Sequence, residues 1–192
     1  MERNLENLTK EEWDRFFPVE LVPHNPEWKE IYKQEERKII EKLGTQAILR
    51  IEHFGSTSIP DISAKSYIDI IIEIPTARLF DEEIIIGLTE LGYHYFRQSG
   101  GLSDYMVFVK GYNLKGGKEQ VYHIHMCPKE NEMWNQLQFR DYLVANPKRA
   151  KEYEHLKIEL ASIFKNDRVG YRIAKSEFIK ETLEMANQTA SH

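Results

Sequence analysis

The chain has 192 residues, 41% hydrophobic and 11% aromatic, which is enough for one packed domain and excludes wholesale disorder. Charged residues make up 30%, mean hydropathy is -0.56, no apolar run approaches the ~20 residues that span a bilayer, and the N-terminus lacks an apolar signal core. A net charge of -5 argues against general nucleic-acid binding, and a single cysteine, Cys127, excludes an internal disulfide framework or a multi-cysteine zinc site, so a cytoplasmic location is expected.

In chain order, Thr9 to Glu12 forms a capping box that opens a short helix ending before Pro18. Val19–Val22 reads as a brief strand. Asn25-Pro26 starts a longer helix to about Leu43, with Trp28, Ile31, Tyr32, Ile39 and Leu43 on one stripe, Glu35 inside it and Gly44 as its stop. Ala47–His53 is a strand, and Tyr67–Ile74 is a central strand covered on both faces, because it is almost continuously apolar and β-branched. A helix over Asp81–Leu91 follows, then strands near 93–97, 104–110 and 119–127, with turns at Gly100-Gly101 and Gly116-Gly117. Beyond Pro128 the periodicity is helical over 131–145, 148–164 and 169–187. Strands before helices predict an α+β fold: a mixed β-sheet with flanking helices and a C-terminal helical layer. The expected organisation is a helical extension over residues 1–18 and one domain over 19–192, with its sheet to about residue 128 and its helical layer over 129–188.

The segment after His53 carries the most pointed chemistry. Gly55-Ser56-Thr57 leaves a strand in a turn whose backbone N–H groups can approach a phosphate, Lys65 follows, and Asp69 lies on the next strand, where a carboxylate can hold the phosphate's metal. Met133, Leu137, Arg140 and Val144 fall within ~60° of one another on one helix face, so Arg140 points inward. On the last helix, Lys175 lies in the middle of a face made by Tyr171, Phe178, Ile179, Thr182 and Ala186, with Arg168 and Arg172 beside it. Arginine forks and lysine ammonium groups at a cleft wall suit a phosphate-bearing ligand. His123 and His125 project from one face of a strand, as metal ligands or as a ligand and a proton carrier; Cys127 is placed on the opposite face as a small buried apolar residue.

Several of these stretches resemble the GrpB family: His53-x-Gly55-Ser56-Thr57-Ser58-Ile59-Pro60, Ala64-Lys65, Ile68-Asp69-Ile70, Tyr122-His123-Ile124-His125, Phe139-Arg140-Asp141-Tyr142-Leu143, Tyr153-x-x-Leu156-Lys157 and Tyr171-x-x-Ala174-Lys175-x-x-Phe178-Ile179, colinear from about Val19 to Ala186. The resemblance implies a nucleotidyltransferase-like fold, in proteins that occur alone or fused to dephospho-coenzyme A kinase. Three departures stand out. Asp61 replaces the family's usual glycine, and Ser66 its usual proline. The strand reads Asp69-Ile70-Ile71, where working nucleotidyltransferases of this fold carry Asp-x-Asp for two metal ions.

Two functions are therefore expected. One is a metal-dependent transfer on a nucleotide or other phosphorylated metabolite. In it Asp69, His123 and His125 are catalytic and hold a divalent metal (Mg, Mn or Zn), and Gly55, Ser56, Thr57, Lys65, Arg140 and Lys175 cradle phosphate. His53, Glu35, Tyr171 and Arg172 stand behind them. The other is a non-catalytic nucleotide- or anion-binding module, linked to coenzyme A metabolism. A homodimer through the C-terminal helices is a further expectation.

Overall fold

The computed structural model describes residues 5–98, 104–117 and 119–190. Its strands are β1 (Arg50–Phe54), β2 (Tyr67–Glu73), β3 (His94–Gln98), β4 (Tyr105–Lys110) and β5 (Val121–Cys127). They form one mixed sheet in the order β1-β2-β5-β4-β3, parallel only between β2 and β5. The helices are α1 (Lys10–Phe16), α2 (Trp28–Leu43), α3 (Glu82–Glu90), α4 (Asn135–Ala145), α5 (Pro147–Ile163), α6 (Arg168–Ala174) and α7 (Ser176–Ala190). No helix among the described residues is long and apolar enough to cross a membrane.

Side-chain alternation along β2 divides its residues between two layers. Ile68, Ile70 and Ile72 join Ile124 and Met126 of β5 beneath α2 and α3, in a core that includes Trp28, Ile39, Ile84 and Leu88. Ile71 faces the other way and packs with Phe54, Cys127 and Leu137 of α4. That double cover explains the unbroken apolar run. Each of these isoleucines is fully buried, which stabilises the fold by about 1.5–3 kcal/mol apiece relative to exposure.

On the α4 side, the sheet is covered in two blocks. α4 covers one end, and α1 covers the other, where Trp13 and Phe17 pack on Val109, Tyr112 and Val121. The N-terminal helix is thus part of the covering layer, and its capping box is formed, Thr9 accepting from the Glu12 N–H.

Several expectations need correction. Val19–Val22 is extended but pairs only through a single bridge, Val22 to Ala64, so it forms no strand. β1 begins at Arg50 rather than Ala47, because residues 45–47 are turn. Cys127 lies on the same face as His123 and His125, two and four residues along a period-two strand, although it is buried as expected. The last turn of α4 turns inward through Leu143, which packs on Ile59, Ile62 and Tyr153, and leaves Val144 47% exposed. The single helix expected over 169–187 is two helices: at Lys175 the N–H bonds Arg172 O at 3.4 Å, and the chain restarts as α7. The Gly100-Gly101 turn lies outside the described residues.

Candidate functional site

Between the α4 block and the α1 block the sheet is open, and helices α4 to α7 roof the opening. The result is a cleft of about 540 Å3. Its floor comes from β1, β2 and β5, and its rim from the turn after β1. Gly55 stands at φ 71°, ψ -175°, a region essentially restricted to glycine, and Ser56–Ser58 makes one 3-10 turn that returns its N–H bonds to Gly55 and Ser56. The Thr57 hydroxyl donates to Tyr67 O at 2.8 Å and sits 3.0 Å from His53 Nε2, so it accepts from that ring N–H. Thr57 is 3% exposed, and both functions of its hydroxyl are spent fastening the turn. His53 lies on the opposite face of the sheet, stacked on Tyr32 at 4.8 Å, and burial pushes its imidazole down to about 4.

Asp69 faces the cleft opposite its register partner His123. Its Oδ1 lies 3.2 Å from His123 Nδ1, His123 Nε2 lies 2.7 Å from the Tyr112 hydroxyl, and Tyr112 accepts from Arg168 at 2.9 Å. Donation is consistent along this line when His123 is neutral with its proton on Nδ1. Burial acts to raise the Asp69 carboxyl, but the His123 hydrogen bond and the charge of Lys65 leave it below the usual carboxylate range. Arg168 is further held by Phe17 O at 2.9 Å and the Tyr67 hydroxyl at 3.3 Å.

The cationic wall is larger than the sequence reading assigned. Lys65, Arg140, Lys157, Arg168, Arg172 and Lys175 all line the cleft, against the single carboxylate of Asp69. Lys65 and Lys175 lie over aromatic rings, Lys65 4.6 Å from the centre of Tyr67 and Lys175 4.3 Å from that of Tyr171. Neither makes an ion pair among the described residues. Burial, with Arg168 and Lys175 nearby, pushes Lys65 down to about 7; burial and Lys175 do the same to Lys157, whose ammonium donates to Ser63 O. Arg168 stands beside Lys175 as its helix position implies, and Lys157 is the principal addition. In sequence Lys157 stands out only as the end of the Tyr153-x-x-Leu156-Lys157 stretch, without a role, and the approach of the 59–65 loop buries it.

Arg140 points inward as its helix position requires, yet its guanidinium is already engaged. It donates to His53 O at 2.6 Å, to Glu52 at 3.1 Å and to Asp141 at 2.7 Å, which ties α4 to the end of β1. His125 also lines the cleft, stacked on Tyr105 at 5.9 Å, with its Nδ1 buried and unpartnered; burial pushes it down to about 4. Gly55, Ser56, Thr57, Lys65, Asp69, His123, His125, Arg140, Tyr171, Arg172 and Lys175 therefore share one cavity. Glu35 does not join them: it is fully buried in the other layer, where Lys110 donates to it at 2.6 Å, Tyr93 at 2.9 Å and Lys38 at 3.0 Å. A helical stripe shows that a residue faces a core, without showing which one. Asp61, whose side chain is exposed, also stays outside the cleft.

The donor set does not fit a metal held by protein groups. Asp69 is one carboxylate, His123 is engaged at both ring nitrogens, and no three His, Cys, Asp or Glu side chains among the described residues are grouped to hold an ion. Chemically, the arrangement offers positive charge, a glycine turn and aromatic faces, which together suit an organic anion.

A family described as GrpB protein matches residues 18–185. The glutamate-rich protein GrpB of Alkalihalophilus pseudofirmus is 33% identical over 168 residues, 86% of this chain and 94% of that one. The crystal structure of GrpB from Enterococcus faecalis superposes with a TM-score of 0.76 at 27% identity, covering 90% of this chain and all of the other. A more distant likeness, at TM-score 0.41 and 12% identity over 74% of this chain and 46% of the other, is to the Cid1 poly(U) polymerase bound to MgATP.

Proposed function

The chain belongs to the GrpB family, and from that premise we propose that its cleft binds a phosphorylated small molecule, a nucleotide or a related metabolite. One observation carries this reading: six cationic side chains and one carboxylate face the same cavity in a chain whose net charge is -5. Burying positive charge, and gathering it beside other cations, is unfavourable, as the lowered values of Lys65 and Lys157 register, and an anionic ligand relieves that cost. Phosphate contacts fall to Lys65, Lys175 and Arg172, with the Gly55-Ser56 backbone at the rim. Arg140 and Thr57 hold that rim in place. A thermal-shift panel of phosphorylated metabolites is expected to raise the melting temperature, and to lose the effect in Lys175→Ala; no stabilisation by any phosphorylated compound would remove the proposal.

Group transfer is a second reading, favoured by the position of Asp69 directly against the Gly55 turn. It predicts turnover that Asp69→Asn abolishes while leaving the melting temperature nearly intact. Binding without turnover, unchanged by added divalent metal, assigns the protein to the non-catalytic class.

A further inference from the structure

The cleft is chemically graded along β5. The register pairs Tyr67 with Val121, Asp69 with His123 and Ile71 with His125, so successive inward rows are about 6.6 Å apart, and the span from first to last is about 13 Å. At the first row stand Lys65, Lys175 and the ring of Tyr171. At the second is Asp69, with a quarter of its side chain exposed. At the third is His125, with the ring of Phe54, from the β1 position opposite Asp69, centred 5.5 Å from its own and that of Tyr105 5.9 Å away. On the reading that the cleft holds a phosphorylated ligand, we propose that this ligand is a nucleoside 5′-phosphate lying along β5, with its phosphate at Lys65 and Lys175, its sugar hydroxyls at Asp69 and its base against Tyr105 and His125.

The order of the three zones matches the order of phosphate, pentose and planar ring in such a molecule. Phosphate is directed to the lysine end, because Arg140, the cation beside Phe54, is already engaged by Glu52, Asp141 and the His53 carbonyl, and Asp69 repels an anion from the middle. A carboxylate unable to assemble a metal site is still a strong acceptor for ribose hydroxyls. At the aromatic end, Tyr105 and His125 are inclined by only 25°, which presents a stacking platform. The unpartnered Nδ1 of His125 and the side-chain amide of Gln136, which has no hydrogen bond among the described residues, are the groups left to read a ring edge. A bare sugar phosphate leaves this end unfilled.

Isothermal titration of the full chain with AMP, GMP, CMP, UMP and ribose 5-phosphate tests the assignment. At least one mononucleotide is expected to bind about tenfold more tightly than ribose 5-phosphate, the size of one base–aromatic stack. Tyr105→Ala should remove that difference while leaving ribose 5-phosphate affinity unchanged. Tyr105→Phe, which keeps the ring, should retain it, and Lys175→Ala should weaken both ligands. If every mononucleotide binds no better than ribose 5-phosphate, or Tyr105→Ala preserves the difference, the base site is overturned and the phosphate site stands. If neither ligand class binds, the phosphate site and the base site fall together.

Discussion

Gly55 packs its α-carbon directly against the Asp69 side chain: a Cβ built there would lie 3.0 Å from Asp69 Cβ and Cγ and closer still to Oδ2. The glycine is required twice, once for its φ of 71° with ψ of -175° and once for this approach. Gly55→Ala is expected to cost about 1–3 kcal/mol from backbone strain alone, before the displacement of Asp69 is counted. Urea denaturation checks it; an alanine variant as stable as the parent would mean that the turn is shaped differently.

Asp61 is the complementary case. It adopts φ 59°, a left-handed conformation that glycine accepts freely, and its side chain is exposed. Asp61→Gly should stabilise the fold by about 0.5–1 kcal/mol, through relief of αL strain at a position where the family resemblance places glycine. A melting-temperature series reads this directly, and a destabilised variant would contradict it.

Two cations of the same cleft should separate by phenotype. Arg140→Ala removes the donor from the His53 carbonyl and leaves Glu52 with Arg50 alone, so a loss of about 1.5–3 kcal/mol of stability is expected from charge-assisted hydrogen bonds alone. Lys175→Ala breaks no ion pair and should change stability by no more than about 0.5 kcal/mol, while anion-induced stabilisation falls. Chemical denaturation with and without phosphate compounds resolves the two; equal effects would refute the division of roles.

The lysines set a pH dependence. Lys65 and Lys157 sit near 7 in the fold, against about 10.4 when unfolded. Between those values the unfolded chain binds more protons, so these groups make stability rise from about pH 7 to pH 10; below 7 both states are protonated and the contribution is flat. Anion binding has the opposite trend, because the ligand favours charged lysine. Affinity should weaken above pH 7, with proton uptake visible as a dependence of binding enthalpy on buffer ionisation heat. Affinity constant from pH 6 to 9 would sink this account.

His53 and His125 work in the acid range. Both are held neutral, near 4 in the fold, chiefly by burial. Their contribution is complete above about pH 6.5 and is lost as pH falls through 4. His53→Gln should flatten the acid limb of a stability–pH curve, and an unchanged limb would exclude His53 as its source.

Much of this arrangement was legible in the sequence, because periodicity follows from local covalent geometry. Period two placed Asp69 on one side of β2 and His123 and His125 on one side of β5, and applied consistently it places Cys127 with them. Period 3.6 turned Arg140 and Glu35 inward, the Thr9 capping box marked the start of α1, and the interval from His53 to Asp69 marked a glycine turn followed by an acid. What periodicity omits is the neighbour. Arg140 meets Glu52, Glu35 meets Lys110 in the opposite layer, and Thr57 spends its hydroxyl on Tyr67 and His53, because the partners are brought in by other segments.

The amino-acid order alone therefore determined that Asp69, His123, His125, Arg140 and Glu35 turn inward, which turn needs glycine and that the chain forms an α+β sheet protein. Only the tertiary structure decided that β2 and β5 pair in parallel, setting Asp69 beside His123, and that Lys157 and Arg168 enter the same cleft as Lys65 and Lys175. The first set depends on dihedral preferences within a few residues. The second depends on which apolar faces cover one another, which is settled by burial of the whole chain at once.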